Sequence, residues 1–258
     1  MSQNTSSAVM QQRAEPHDSL DDFPTQPWAT RALCEHVLGG CYLVGKTVWE
    51  PASNRGHMSA PLAEYFGAVW ASDIHDYGTA GAFQHDFLFP VMPLSENPDW
   101  IITNPPFRLA EQFVARARDV ATEGVAMIVR TSFLEGVGRY EKLFSKNPPS
   151  IVAQFSERVP MVKGRLTATG STATSYCWLV WLNSVTTTKL IWIPPCRKKL
   201  ERADDYAAYI KEHEADTLIN MKIDRDRLGP TVCQMAALNA PVKPIRFAGY
   251  DETEKSWW

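Results

Sequence analysis

The segment Asp99-Trp100-Ile101-Ile102-Thr103-Asn104-Pro105-Pro106-Phe107 decides how the rest of the chain is read. Trp100, Ile101 and Ile102 form a short apolar run of the kind that lies buried in a parallel sheet. Two prolines then end it, because they donate no ladder hydrogen bonds and fix φ. The chain leaves the sheet at Asn104. In open α/β sheets the ligand crevice lies just beyond the carboxyl ends of the strands. An amide, a rigid turn and an aromatic ring are thus presented where chemistry is expected.

That constellation suits an amino group conjugated to a ring or carbonyl, whose lone pair is delocalised and weakly nucleophilic. The Asn104 side-chain oxygen and the Pro105 carbonyl can both accept from the amino hydrogens, favouring a pyramidal nitrogen and stabilising its developing positive charge. Phe107 can stack on a planar substrate. The plainer reading is a turn after a strand, since Asn and Pro are ordinary turn residues. The flanking segments discriminate between the two.

With 258 residues and 45% hydrophobic content, the chain has material for one full globular core and little for a second enzyme domain. Its five cysteines (Cys34, Cys41, Cys177, Cys196, Cys233) are an odd number without a CxxC pair, which points to neither a disulfide framework nor a metal site. Residues 1–22 are polar, end acidic and read as a disordered tail; they lack the basic-then-apolar pattern of a signal peptide. No apolar run approaches membrane-spanning length, so a soluble protein of the cytoplasm is expected. A net charge of −3 neither advertises nor excludes nucleic acid, because the distribution of bases over one face matters more than their sum.

Upstream of the central segment, Arg31 to Val37 has amphipathic helical spacing, with Thr25 as the expected N-cap. Thr47-Val48-Trp49-Glu50 reads as a first strand, Pro51 to His57 as a tight loop and Met58 to Tyr65 as a helix. Ala68 to Asp73 is a second strand ending on an acid 23 positions after Glu50. A carboxylate there is placed to take ribose hydroxyls of a bound nucleoside. The phosphate-cradling GxGxxG pattern is absent, and acidic Glu50 suits a cationic or amino-bearing ligand better than a pyrophosphate. Asn54 stands where a glycine is expected, and Asn tolerates positive φ.

Beyond Phe107, Leu109, Phe113, Ala117 and Val120 recur at helical spacing. Val125 to Val129, Ile151 to Phe155 and Ser175 to Leu182 are further strands. Between the last two runs a polar loop, Val159 to Thr174, carrying Lys163 and Arg165 among many hydroxyls; it suits either phosphate contacts or a mobile surface. The tail contains the charged run Cys196 to Arg202 and an expected helix from Asp204 to His213.

In their order these segments resemble the amino-group DNA methyltransferases, in particular small phage- or prophage-type orphan adenine-N6 enzymes. Asn104, Pro105, Pro106 and Phe107 match their (Asp/Asn)-Pro-Pro-aromatic catalytic motif. Glu50, Pro51, Ala52, Asn54 and Gly56 resemble the methionine-binding loop, Asp73 with Ile74 the ribose-binding strand end, and Asp86-Phe87 the adenine-contacting pair. Phe23-Pro24-Thr25, with Pro27-Trp28, resembles the upstream cofactor motif. The match spans roughly residues 23–182, and its weight lies in five motifs in order, each weak singly. It implies a Rossmann-like class I methyltransferase fold: α/β, a mostly parallel seven-stranded sheet with an antiparallel last strand, and helices on both faces.

The resemblance further implies S-adenosyl-L-methionine as cofactor, double-stranded DNA as partner, no metal, and a domain over 23–184. Residues 185–258 are then a C-terminal extension in the place of a target-recognition element, with Lys163 and Arg165 as DNA contacts. Such a short extension implies a short or relaxed target. Asn-Pro-Pro-Phe also fits enzymes resembling ribosomal RNA guanine-N2 or protein-glutamine methyltransferases, and a non-catalytic DNA-binding subunit is a third reading. Cytosine-C5 chemistry needs a cysteine nucleophile, and Pro195-Cys196 lies far from the central strand in sequence.

Overall fold

The computed structural model describes residues 21–206 apart from Ser171 and Thr186. The chain begins with α1 (Pro27–Leu33), which continues through a π-helical turn, Cys34–Leu38, and a 3-10 turn, Gly40–Gly45. Thr25 is not its N-cap. Gln26 holds that position, because the helix starts one residue later at Pro27, and it makes no side-chain cap hydrogen bond. The Gln26 amide instead donates to the carbonyls of Pro160 (2.7 Å) and Thr167 (3.0 Å) and accepts from the Tyr206 hydroxyl (2.9 Å).

There follow β1 (Thr47–Glu50), α2 (Ser59–Leu62), β2 (Ala68–Asp73), β3 (Phe83–Gln84), β4 (Trp100–Thr103), α3 (Ala110–Val120) and β5 (Gly124–Arg130). The chain then runs through α4 (Val137–Arg139), β6 (Ile151–Phe155), β7 (Tyr176–Leu182), β8 (Lys189–Ile193) and α5 (Arg197–Leu200) to a 3-10 turn, Ala203–Tyr206. The rest of the helix expected over 204–213 lies outside the described residues, as do Cys233 and residues 1–20. Leu109, expected on the apolar face of α3, sits at its N-cap and is exposed; the buried stripe is Ala110, Phe113, Val114, Ala117 and Val120.

The strands form one sheet in the order β3-β2-β1-β4-β5-β7-β6-β8. All pairings are parallel except those of β7, which runs antiparallel to both β5 and β6. This is the Rossmann-like, mostly parallel α/β arrangement expected, with one correction. The described sheet has eight strands rather than seven: β8 adds to the β6 edge in parallel, so the antiparallel strand is not the last. Lys189 to Ile193 gives a weak signal because only Ile193 is buried, while Leu190 and Trp192 are exposed.

Alternation along the strands feeds two cores. Val48, Trp100, Ile102, Ala126 and Ile128 face Trp28 and Leu33 of α1, whereas Trp49, Ile101, Val125 and Met127 face Phe113 and Ala117 of α3. Gly124 is required by packing, since a Cβ there would lie 2.6 Å from the Trp100 ring. Strand order reverses between β1 and β4, which pair directly. The loops leaving their carboxyl ends, after Glu50 and after Thr103, therefore open into one crevice.

Candidate active site

Burial of all four β4 residues delivers Asn104 to the sheet edge at a fixed height. Its Nδ2 donates to the Phe23 carbonyl at 2.8 Å and lies 3.9 Å from the Met161 sulfur. This fixes which way the amide faces. Oδ1 is consequently buried without a hydrogen-bond partner among the described residues. Buried acceptors are ordinarily satisfied, so this oxygen at a strand end is able to accept from an external donor. The Pro106 carbonyl accepts from Leu109 N–H at 2.9 Å, closing the turn into α3, while the Pro105 carbonyl receives no such bond from the described residues.

Phe107 is held on three sides. Its N–H donates to Asp21 (2.9 Å), its ring lies 5.2 Å from that of Phe23 at a 45° tilt, and the Arg130 guanidinium sits 4.2 Å from its ring centroid. Asp21 and Asp22, expected to belong to the tail over 1–22, both reach the crevice. Asp22 accepts from Asn54 Nδ2 (2.6 Å), pairs with Arg55 (3.1 Å), and through its carbonyl takes the N–H of Gly164 (2.7 Å). Residues 21–23 thus tie the loop after β1, the Asn-Pro-Pro-Phe turn and the Lys163/Arg165 loop together. Pro24 and Thr25 are buried behind them, Thr25 with its hydroxyl unpartnered among the described residues.

At the neighbouring strand ends lie two acids. Glu50 is 2% exposed, and its carboxylate accepts from the Ser59 hydroxyl. Burial pushes its pKa well above the usual carboxylate range; the Ser59 hydrogen bonds oppose this and the Asp73 charge adds to it. Asp73 accepts the N–H of Asn54 on Oδ2 (2.9 Å) and that of His75 on Oδ1 (3.0 Å). Each carboxylate oxygen has a second lone pair, so both can still accept from a vicinal diol. Burial raises the Asp73 pKa, and the backbone donors oppose the shift.

Between these acids the loop turns sharply. Asn54 adopts φ +50° and Gly56 φ +79°; a Cβ at Gly56 would sit 3.3 Å from Thr79 Cγ2 and in a strained backbone region. Pro51 is buried, Ala52 is half-buried, and the buried Ser53 hydroxyl has no partner among the described residues. The His57 pKa is pushed down to about 4, first by burial and then by Arg55, which favours the neutral imidazole at neutral pH.

The remaining sequence candidates are spread more widely. Ile74 is exposed beside Asp73. Asp86 accepts from Leu88 N–H (2.9 Å), closing a local turn, while Phe87 is buried between Trp49 (5.1 Å) and Phe113 (4.9 Å) in the α3-side core. Lys163 and Arg165 are exposed on a turn around Gly164 at φ +73°. Arg130 had no sequence signal beyond ending an apolar strand. Cys177 and Cys196 are both buried, and burial pushes each thiol up to about 12, which denies either the thiolate of a nucleophile. Among the described residues no helix is long and apolar enough to cross a membrane, and no group of three or more His, Cys, Asp and Glu is arranged to hold a metal.

Comparison with protein-family models and with curated protein sequences returns no match. Among solved structures the chain is similar to a magnesium protoporphyrin IX methyltransferase from Synechocystis with bound S-adenosylmethionine, at 15% identity over 61% of this chain and 79% of that one (TM-score 0.44). It is also similar to the methyltransferase subunit of a type I restriction-modification system from Streptococcus thermophilus, at 12% identity over 74% of this chain and 53% of that one (TM-score 0.48). A third, a 23S rRNA methyltransferase, shares 15% identity over 64% of this chain and 71% of that one (TM-score 0.42). These are likenesses of backbone arrangement.

Proposed function

We propose that the chain is an S-adenosyl-L-methionine-dependent DNA methyltransferase that modifies the N6 amino group of an adenine swung out of the duplex. The observation that carries this reading is the Asn104 amide, turned by Phe23 so that a buried oxygen is left without a donor at the end of β4. An exocyclic amino group supplies the missing donor. With the Pro105 carbonyl as second acceptor, the two hydrogens are held and the nitrogen lone pair is released from the ring. Phe107 offers its face to the base.

The loop after β1 and the end of β2 fit the cofactor. Asp73 retains two acceptor positions for a ribose diol, and Glu50 sets a buried carboxyl acceptor near the amino-bearing end of such a ligand. Asn54 and Gly56, both at positive φ, fold the backbone of this loop back on itself. When bound, this cofactor supplies an electrophilic methyl group on a sulfonium sulfur. The residues above then orient and polarise the acceptor nitrogen, and its surplus proton is lost to water without a covalent enzyme intermediate. Extruding the base costs a few kcal/mol, which contacts to the flanking backbone must offset. We assign those contacts to Lys163 and Arg165, and a DNA-contacting or target-recognition role to residues 185–258.

The test is incorporation of labelled methyl from S-adenosyl-L-methionine into unmethylated duplex DNA, RNA and protein in parallel, with nucleoside mass analysis and Asn104→Ala as control. N6-methyladenine in DNA that vanishes in the variant is the expected result. Label in RNA or protein with inert DNA overturns the substrate, and labelling that survives Asn104→Ala overturns the site.

A further inference from the structure

We infer that Arg130 is a substrate-positioning residue: its guanidinium holds the stacking face of Phe107 until a base arrives, then turns to the phosphate flanking the extruded nucleotide. This rests on the DNA reading above. Arg130 ends β5, the strand paired with β4, so its Cα is fixed beside the Asn104 turn by the sheet itself. Its guanidinium lies 4.2 Å from the Phe107 centroid and 6.0 Å from that of Phe23. A planar cation thus occupies the kind of position a planar base needs. The neighbouring ring, Phe23, is tilted 45° and is no substitute for a stacked partner.

The arrangement has the properties of a placeholder. Arg130 is exposed and forms no ion pair among the described residues. Tyr176, whose side chain is buried, is its partner directly across the β5–β7 ladder. A cation–π contact at an exposed site is weak, and a stacked base competes with it successfully. Once displaced, the guanidinium stays at the rim because its backbone is fixed at the end of β5, and its fork of donors matches a phosphate bidentately. Arg158 anchors the adjoining backbone by donating to the Ala173 carbonyl (3.0 Å) and to the Ser175 side chain, and Ser175 in turn accepts from Thr131 N–H (2.8 Å). The rim is therefore braced at the point where Arg130 must swing.

The experiment compares the intact protein with Arg130→Ala and Arg130→Lys, by titration of unmethylated duplex DNA at several salt concentrations and by steady-state methyl transfer. Arg130→Ala should flatten the slope of log affinity against log salt by about one. It should raise KM for DNA about tenfold while kcat changes by less than about threefold, since the loss is of a charged contact made before the transition state. Arg130→Lys should restore the salt slope, which a merely structural role would not predict. An unchanged slope and KM in Arg130→Ala, with a wild type that methylates DNA, overturns the assignment alone. A wild type that neither binds nor methylates duplex DNA overturns the DNA reading and this inference together.

Discussion

Asn104 commits its side-chain nitrogen to the Phe23 carbonyl, 81 positions earlier in the chain and 2.8 Å away, and thereby leaves its oxygen buried and unpartnered. One hydrogen bond sets both the orientation of the amide and the anchoring of the N-terminal strap. The two roles separate by substitution. Asn104→Ala removes the acceptor and should lower the single-turnover rate by about 10²–10³-fold. Asn104→Asp keeps an acceptor but faces a carboxylate with the Phe23 carbonyl, and should cost about 1–3 kcal/mol of stability with a smaller loss of rate. Urea unfolding alongside single-turnover methyl transfer distinguishes them; equal rates for the two variants would contradict the acceptor role.

Asp73 accepts from the backbone N–H groups of Asn54 and His75, one on each carboxylate oxygen, which leaves each oxygen a second lone pair. Asp73→Ala should therefore weaken S-adenosyl-L-methionine binding about tenfold or more, as expected for loss of hydrogen bonds to a charged group. Asp73→Asn, which keeps one acceptor oxygen, should fall between. Isothermal titration on the folded variants checks this. Binding of the Ala variant as tight as wild type would remove Asp73 from the ribose.

Glu50 links pH to stability with a definite sign. Burial raises its folded-state pKa well above the ordinary carboxylate value. A carboxyl raised in this way contributes stability that is complete below its unfolded pKa and is lost as pH rises through the folded value. Glu50→Gln has no charge to bury. The variant should gain stability relative to wild type as pH increases from about 4, the ordinary carboxylate value, towards neutrality. It should also bind S-adenosyl-L-methionine less tightly where pH is high enough to ionise Glu50 in the wild type. Urea midpoints at pH 4 and pH 8 test the first point and titration calorimetry the second. A stability difference independent of pH would rule out this linkage.

What was legible in the sequence follows from how local the information was. The β1, β2 and β6 bounds and the end of β4 were readable because apolar runs stop at acids or prolines within a few residues. Asn54 announced a left-handed position because few other residues tolerate one, and its φ of +50° agrees. The strap at Asp21 and Asp22 was not readable. Two acids next to a polar tail look solvated, and their partners Phe107 and Asn54 lie 86 and 32 positions away. Arg130 was hidden for the same reason: a base at the end of an apolar strand is ordinary until Phe107 is folded beneath it. β8 gives no such signal because an edge strand with one face exposed has no continuous buried run.

Arg31 shows the same long-range logic in the core and gives the sharpest stability prediction. In sequence it was a polar position of an amphipathic helix, yet it is 3% exposed. Its guanidinium forks to Glu64 (2.8 Å) and to Asp205 (2.7 Å), and also donates to the Leu200 carbonyl (2.8 Å). Glu64 in turn pairs with Arg202 at 2.8 Å. One side chain of α1 thus clamps the turn after α2 and the segment after α5. Removing one partner of a buried pair costs more than the pair contributes, because the remaining charges stay desolvated. Arg31→Ala should lose about 3–5 kcal/mol in urea unfolding. Replacing Asp205 together with Arg31 by apolar residues should recover part of that loss, since the unpaired carboxylate is removed as well. A double variant no more stable than Arg31→Ala would mean that the clamp acts through packing of the arginine stem rather than through its charge.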